Sequence, residues 1–105
     1  PNANGTEVYY ADSNNGNAYG TTSEKLATNI LNRMLYYMGS TNRGVKTAEH
    51  AVTKRCEMPA ALTEVGFITN PTEVYNMTTD EYQYKAAQGI AEGIMITLKD
   101  INVPQ

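Results

Sequence analysis

Apolar positions along the chain follow two periods, and the changes from one to the other mark its elements. Thr6-Glu7-Val8-Tyr9-Tyr10 is short, β-branched and aromatic, and predicts a strand. Leu26, Ala27, Ile30, Leu31, Met34, Leu35 and Met38 then recur at helical spacing. Thr21 and Glu24 stand at capping-box spacing ahead of that run, and Gly39 is a natural residue to end it. The apolar set covers a wide arc, which predicts packing against something large, such as a sheet face. Met58 to Phe67 is the strongest strand pattern, with Ala61-Leu62-Thr63-Glu64-Val65 at its heart and Pro59 at its start.

Two helices follow. Asn70 is a good N-cap, Pro71 fits the first helical position and Glu73 the third, for a short helix ending near Met77. Thr78-Thr79-Asp80-Glu81 repeats the device and opens the longest helix. There Tyr82, Ala86, Ala87, Ile90, Ala91, Ile94, Leu98 and Ile101 form one apolar stripe. Gly89 and Gly93 lie inside this helix, each costing roughly 1 kcal/mol relative to Ala. Close packing against a sheet would explain them.

The connections read as polar. Residues 1–5 and 11–20 are rich in Asn and Gly and predict loops. Asn42-Arg43-Gly44 has turn chemistry and carries one exposed guanidinium, and Ala51-Val52-Thr53 predicts a short extended piece. Tyr36-Tyr37 reads as core and rim. Pro104 closes the chain. The order strand, helix, short strand, strand, helix, helix favours an α/β layer: a partial, twisted, mostly parallel sheet flanked by helices. The helices carry more apolar surface than these strands can cover, so further strands are expected upstream of Pro1. A sheet cut there would expose an edge and invite self-association.

Composition narrows the chemistry. The 105 residues hold 8 Lys+Arg against 11 Asp+Glu, a net charge of −3 with His neutral. That mild acidity argues against nucleic-acid binding, which needs clustered cations. No apolar run approaches the roughly 20 residues that span a bilayer, so no membrane insertion is expected. Pro1 reads as a cut or processed end, with no signal peptide in the chain. The length suits one domain. A single cysteine, Cys56, excludes an internal disulfide, and a single histidine, His50, excludes a site needing two His ligands. The spacing of His50 and Cys56 does not match a zinc site, so no metal is expected within the chain.

Glu64 asks for a chemical explanation. It stands in the apolar strand Ala60-Ala61-Leu62-Thr63-Glu64-Val65-Gly66-Phe67, where an ionised carboxylate is costly unless paired or placed at an opening. Gly66 and the Asn70-Pro71 cap put it near the strand's C-terminal end, where open α/β sheets bind ligands. Two readings stay open: a general acid/base, or a structural ion pair with Arg43 or Arg55.

Met58-Pro59-Ala60-Ala61-Leu62-Thr63-Glu64-Val65-Gly66-Phe67-Ile68-Thr69-Asn70-Pro71 resembles the signature "MPAxLxExGFxSNxxE" of the zinc-dependent N-acetylmuramoyl-L-alanine amidases of the Amidase_3 type. Four further pieces match in order: Asn4-Gly5-Thr6-Glu7-Val8-Tyr9-Tyr10, Ser23-Glu24-Lys25-Leu26-Ala27, Asn42-Arg43-Gly44-Val45-Lys46, and the closing helix from Tyr82 to Ile94. The resemblance implies a peptidoglycan hydrolase, an autolysin or endolysin, that cleaves the N-acetylmuramic acid–L-alanine amide with zinc-activated water. It implies Glu64 as general base and Arg43 as an anionic-substrate contact. It also implies that residues 1–105 are the C-terminal portion of one catalytic domain, acting on extracellular or cell-wall peptidoglycan. Such a domain's zinc ligands all precede the matched region, so the zinc of the complete domain is not expected on this chain, nor activity from the chain alone. His50 falls where the family carries an apolar or aromatic residue. The alternative is a non-catalytic wall-binding or assembly module derived from the same fold.

Overall fold

Residues 3–16, 20–56, 58–67 and 69–101 are described in a computed structural model of the chain. The loop expectations at 1–2 and 17–19, Glu57, Ile68 and the closing Pro104 lie outside these residues. Among them the chain forms a three-stranded sheet with helices, an α/β arrangement. Strand β1, Thr6–Tyr10, is central, with β2, Asn42–Thr47, on one side and β3, Leu62–Glu64, on the other. β1 runs parallel to β2 and antiparallel to β3, so the sheet is mixed.

Side chains of β1 alternate between two faces. Val8 and Tyr10 pack with Ala27, Ile30, Leu31 and Met34 of helix α1, Ser23–Met38, and with Ala86. Glu7 and Tyr9 take the other face. The packing of α1 on β1 follows the wide apolar arc read from its pattern.

The cap of α1 lies one residue later than the spacing of Thr21 and Glu24 suggests. Thr22 is extended, and its hydroxyl accepts the Lys25 N–H at 3.2 Å. Thr21 is instead fully buried, and its Oγ1 has no partner among the described residues. Glu24 does not reach back to the cap; it accepts a long hydrogen bond from the Tyr10 hydroxyl, 3.4 Å. The helix ends as expected at Gly39, in the left-handed region with φ 65°.

Three further expectations change. Asn42-Arg43-Gly44 is not a free turn but the start of β2. Its turn signal marks a β-bulge: Thr6 pairs with Asn42 and Glu7 with Gly44, leaving Arg43 as the extra residue. Gly44 sits at φ 90°, and its N–H donates to Asn42 Oδ1 at 2.8 Å. Ala51–Lys54 forms one helical turn, α2, not an extended piece; the Thr53 hydroxyl donates back to the His50 carbonyl at 3.0 Å. The ten-residue strand pattern from Met58 shortens to Leu62–Glu64. Its flanks bond side chains rather than a strand: Ala60 N–H donates to Ser23 Oγ at 3.0 Å and Phe67 N–H to Glu73 Oε1 at 2.9 Å.

Helix α3, Pro71–Met77, starts as its cap predicts: Asn70 Oδ1 accepts the Thr72 and Glu73 N–H groups. Helix α4, Asp80–Leu98, is capped by the Thr79 hydroxyl, which accepts the Tyr82 N–H. It packs chiefly against α1 rather than against the sheet. Its buried stripe is Ala86, Gly89, Gly93 and Thr97, whereas Ala87, Ala91, Ile94 and Leu98 of the expected stripe are exposed. The two glycines explain the difference. A Cβ on Gly89 would stand 2.5 Å from Met34 Cα, and one on Gly93 2.4 Å from Ile30 Cα. The backbones of α1 and α4 meet where neither glycine has a side chain. Among the described residues no helix is long and apolar enough to cross a membrane.

Candidate functional site

Glu64 is the last residue of β3 and is exposed. Its carboxylate makes no ion pair or hydrogen bond among the described residues. The pairing to Arg43 or Arg55 that a structural role would need is not formed. Directly across the antiparallel ladder stands Glu7 of β1. Paired residues share a face, with Cα atoms roughly 4.5–5.5 Å apart.

Glu7 differs sharply from its neighbour. It is 4% exposed and accepts from three side chains. Lys46 Nζ and Arg43 Nε both reach Oε2, the latter at 3.4 Å, and the Tyr9 hydroxyl donates to Oε1 at 2.8 Å. Burial alone would raise its pKa. The hydrogen bonds from Lys46 and Tyr9, the charge of Lys46 and the Arg43 N–H outweigh burial and hold the carboxyl below its ordinary value of 4.5. The hydrogen bond to Glu7, with burial, in turn pushes the Tyr9 hydroxyl up.

Arg43 reaches this face because the bulge re-aims it. Its guanidinium also lies over the Phe67 ring, 4.6 Å from the centroid. His50 stacks at a tilt on Tyr9, 5.4 Å between ring centroids. Beyond Glu64 the strand end is clasped by Glu73. That buried carboxylate takes the Gly5 N–H at 2.6 Å and the Phe67 N–H at 2.9 Å, joining the start of β1 to the exit of β3. The Asn70 amide adds a bond to the Ala3 carbonyl at 3.2 Å.

The fold thus brings Glu64 and Arg43 to one end of the sheet, with Glu7 between the strands that carry them. Sequence reasoning singled out Glu64 and passed over Glu7 and Lys46. The same signal was present: Glu7 too is a lone carboxylate in an apolar strand. Cys56 is exposed, and its thiol donates to the Val52 carbonyl. Among the described residues no group of three or more His, Cys, Asp and Glu side chains is placed to hold a metal ion. The donors present do not fit the zinc site that the resemblance implies.

Residues 1–95 match the family profile described as N-acetylmuramoyl-L-alanine amidase. The chain is 37% identical over 90 residues to the N-acetylmuramoyl-L-alanine amidase LytC of Bacillus subtilis (strain 168), covering 86% of this chain and 17% of LytC. It superposes on the catalytic domain of CwlV, an N-acetylmuramoyl-L-alanine amidase from Bacillus (Paenibacillus) polymyxa var. colistinus, with TM-score 0.80 and 32% identity. It superposes on the amidase AmiC2 of Nostoc punctiforme with TM-score 0.81 and 33% identity. Each superposition covers 94% of this chain and 51% of the other, so the chain spans about half of these solved chains.

Proposed function

Because the chain belongs to the N-acetylmuramoyl-L-alanine amidase family, we propose that it supplies the general base of an enzyme hydrolysing the amide between N-acetylmuramic acid and L-alanine in peptidoglycan. The observation that carries this reading is the state of Glu64: a carboxylate at an open strand end, exposed, with no ion pair or hydrogen bond among the described residues. Such a group can take a proton from the attacking water and return it to the amine that leaves with L-alanine. Arg43, with its Nε on Glu7 and its plane on Phe67, presents its outer nitrogens to an anionic part of the substrate. Glu73 holds the strand end that carries Glu64 at a set distance from β1.

Among the described residues no set of donors fits a zinc site. On this reading the 105 residues alone neither hold catalytic zinc nor clear cell walls, and the work is done by the complete domain in the wall, where the substrate lies. The test is Glu64→Gln in the full-length protein, with released muropeptides read by mass spectrometry for new L-alanine amino termini. Retained release in the variant would overturn the assignment of Glu64. Binding to cell walls with no release by the unaltered protein would favour a wall-binding module.

A further inference from the structure

Glu7 is a buried carboxylate that the chemistry given to Glu64 does not use. A buried charge is costly unless paired. Glu7 is paired twice, with cations whose side chains are themselves partly exposed, 34% for Arg43 and 39% for Lys46. Its burial therefore fixes the inner ends of two side chains whose outer ends face solvent.

Arg43 is held from two directions. Its Nε binds Glu7 and its plane lies on Phe67, while its terminal nitrogens make no hydrogen bond among the described residues. The bulge at Thr6–Glu7 makes Arg43 the extra residue of β2. Lys46 stands opposite Tyr9, one same-face position along β1 from the pair of Glu7 and Glu64. It commits one N–H to Glu7 and has two more to offer. A planar guanidinium fork beside an ammonium, both oriented in advance, suits a carboxylate.

We infer that Glu7 is a positioning residue that holds Arg43 and Lys46 as a two-cation receptor for a carboxylate of the stem peptide, on the L-alanine side of the scissile amide. The inference rests on the proposed function and adds Glu7 and Lys46 to it. It makes the enzyme prefer stem peptides whose carboxylate is free over those in which it is amidated.

Equilibrium binding to the full-length protein tests this, using N-acetylmuramoyl-L-alanyl-D-glutamate with its γ-carboxyl closed as the methylamide, and the α-amide of that same compound, as probes. The expected result is a preference for the acid of about tenfold or more, as charged hydrogen bonds allow. Glu7→Gln and Lys46→Met should each collapse that preference, with affinity for the amide as the internal reference. Should Glu7→Gln fail to fold, the partly exposed Lys46→Met carries the test. Equal binding of acid and amide by the unaltered protein overturns the inference, as does a preference that survives both substitutions. Cleavage assays separate the two readings. Release of L-alanine termini without an acid preference removes the receptor and leaves the amidase. An acid preference without Glu64-dependent release removes the base and leaves the receptor.

Discussion

Glu7 and Glu64 stand opposite each other in the antiparallel pairing of β1 and β3, yet among the described residues only Glu7 is bound by cations. Two carboxylates on one face therefore have different fates. One is gripped by its neighbours, and the other stands exposed, with no ion pair or hydrogen bond among the described residues.

Replacing Glu64 by Gln should separate activity from stability. General acid–base catalysis contributes about 10²–10⁴-fold, so amidase activity of the full-length protein should fall by that order. Glu64 is exposed and has no ion pair among the described residues, so stability should move by no more than about 0.5 kcal/mol. Muropeptide release and thermal melting of the same sample check both halves. A large loss of melting temperature would show that the carboxylate is structural.

Acid sensitivity should pass through Glu7. Its folded pKa lies below the ordinary 4.5, so the stability it contributes is present above about that pH and is lost as pH falls through the folded value. Glu7→Gln should flatten the acid limb of a stability–pH curve. Urea midpoints measured between neutral pH and about pH 3 would show the change. An unaltered acid limb in the variant would mean that other carboxylates dominate.

Gly93→Ala sets helix propensity against packing. Propensity alone predicts a gain of about 1 kcal/mol. The new methyl would stand 2.4 Å from Ile30 Cα and 2.6 Å from its nitrogen, and a backbone cannot turn aside as a side chain can. Forcing α1 and α4 apart should cost about 1–3 kcal/mol. The sign of the shift in chemical denaturation decides which effect wins. A stabilised variant would disprove the close approach.

Glu73→Gln should loosen the strand end. The carboxylate accepts from two backbone donors, Gly5 and Phe67. A carboxamide has one acceptor oxygen and turns its NH₂ toward the other donor. A buried donor left unsatisfied costs about 1–3 kcal/mol. Hydrogen exchange at the Gly5 and Phe67 amides should quicken in the variant before the core of α1 responds. Unchanged protection there would argue against the clasp.

Much of the fold was legible in local signals. Strand β1, the glycine end of α1, and the caps of α3 and α4 depend on interactions within a few residues, and residue type reports those well. Glu64 stood out because a charge in an apolar strand is conspicuous. Other features depend on partners distant in sequence. The ten-residue pattern around Glu64 became three paired residues because Ser23 and Glu73 took the flanking N–H groups. Asn42-Arg43-Gly44 read as a turn, because a bulge and a turn use the same backbone chemistry. The stripe on α4 was misplaced because glycines count for nothing in an apolar pattern, yet Gly89 and Gly93 are where α1 comes closest.

The sequence by itself determined the α/β class, most helix limits and the prominence of Glu64, since periodicity, capping and local cost act along the chain. Only the tertiary structure decided which strands pair, that α4 lies on α1, and that Glu7 gathers Arg43 and Lys46 beside Glu64. Those outcomes turn on contacts between residues tens of positions apart, and a buried charge shows its purpose only when its partners are in place.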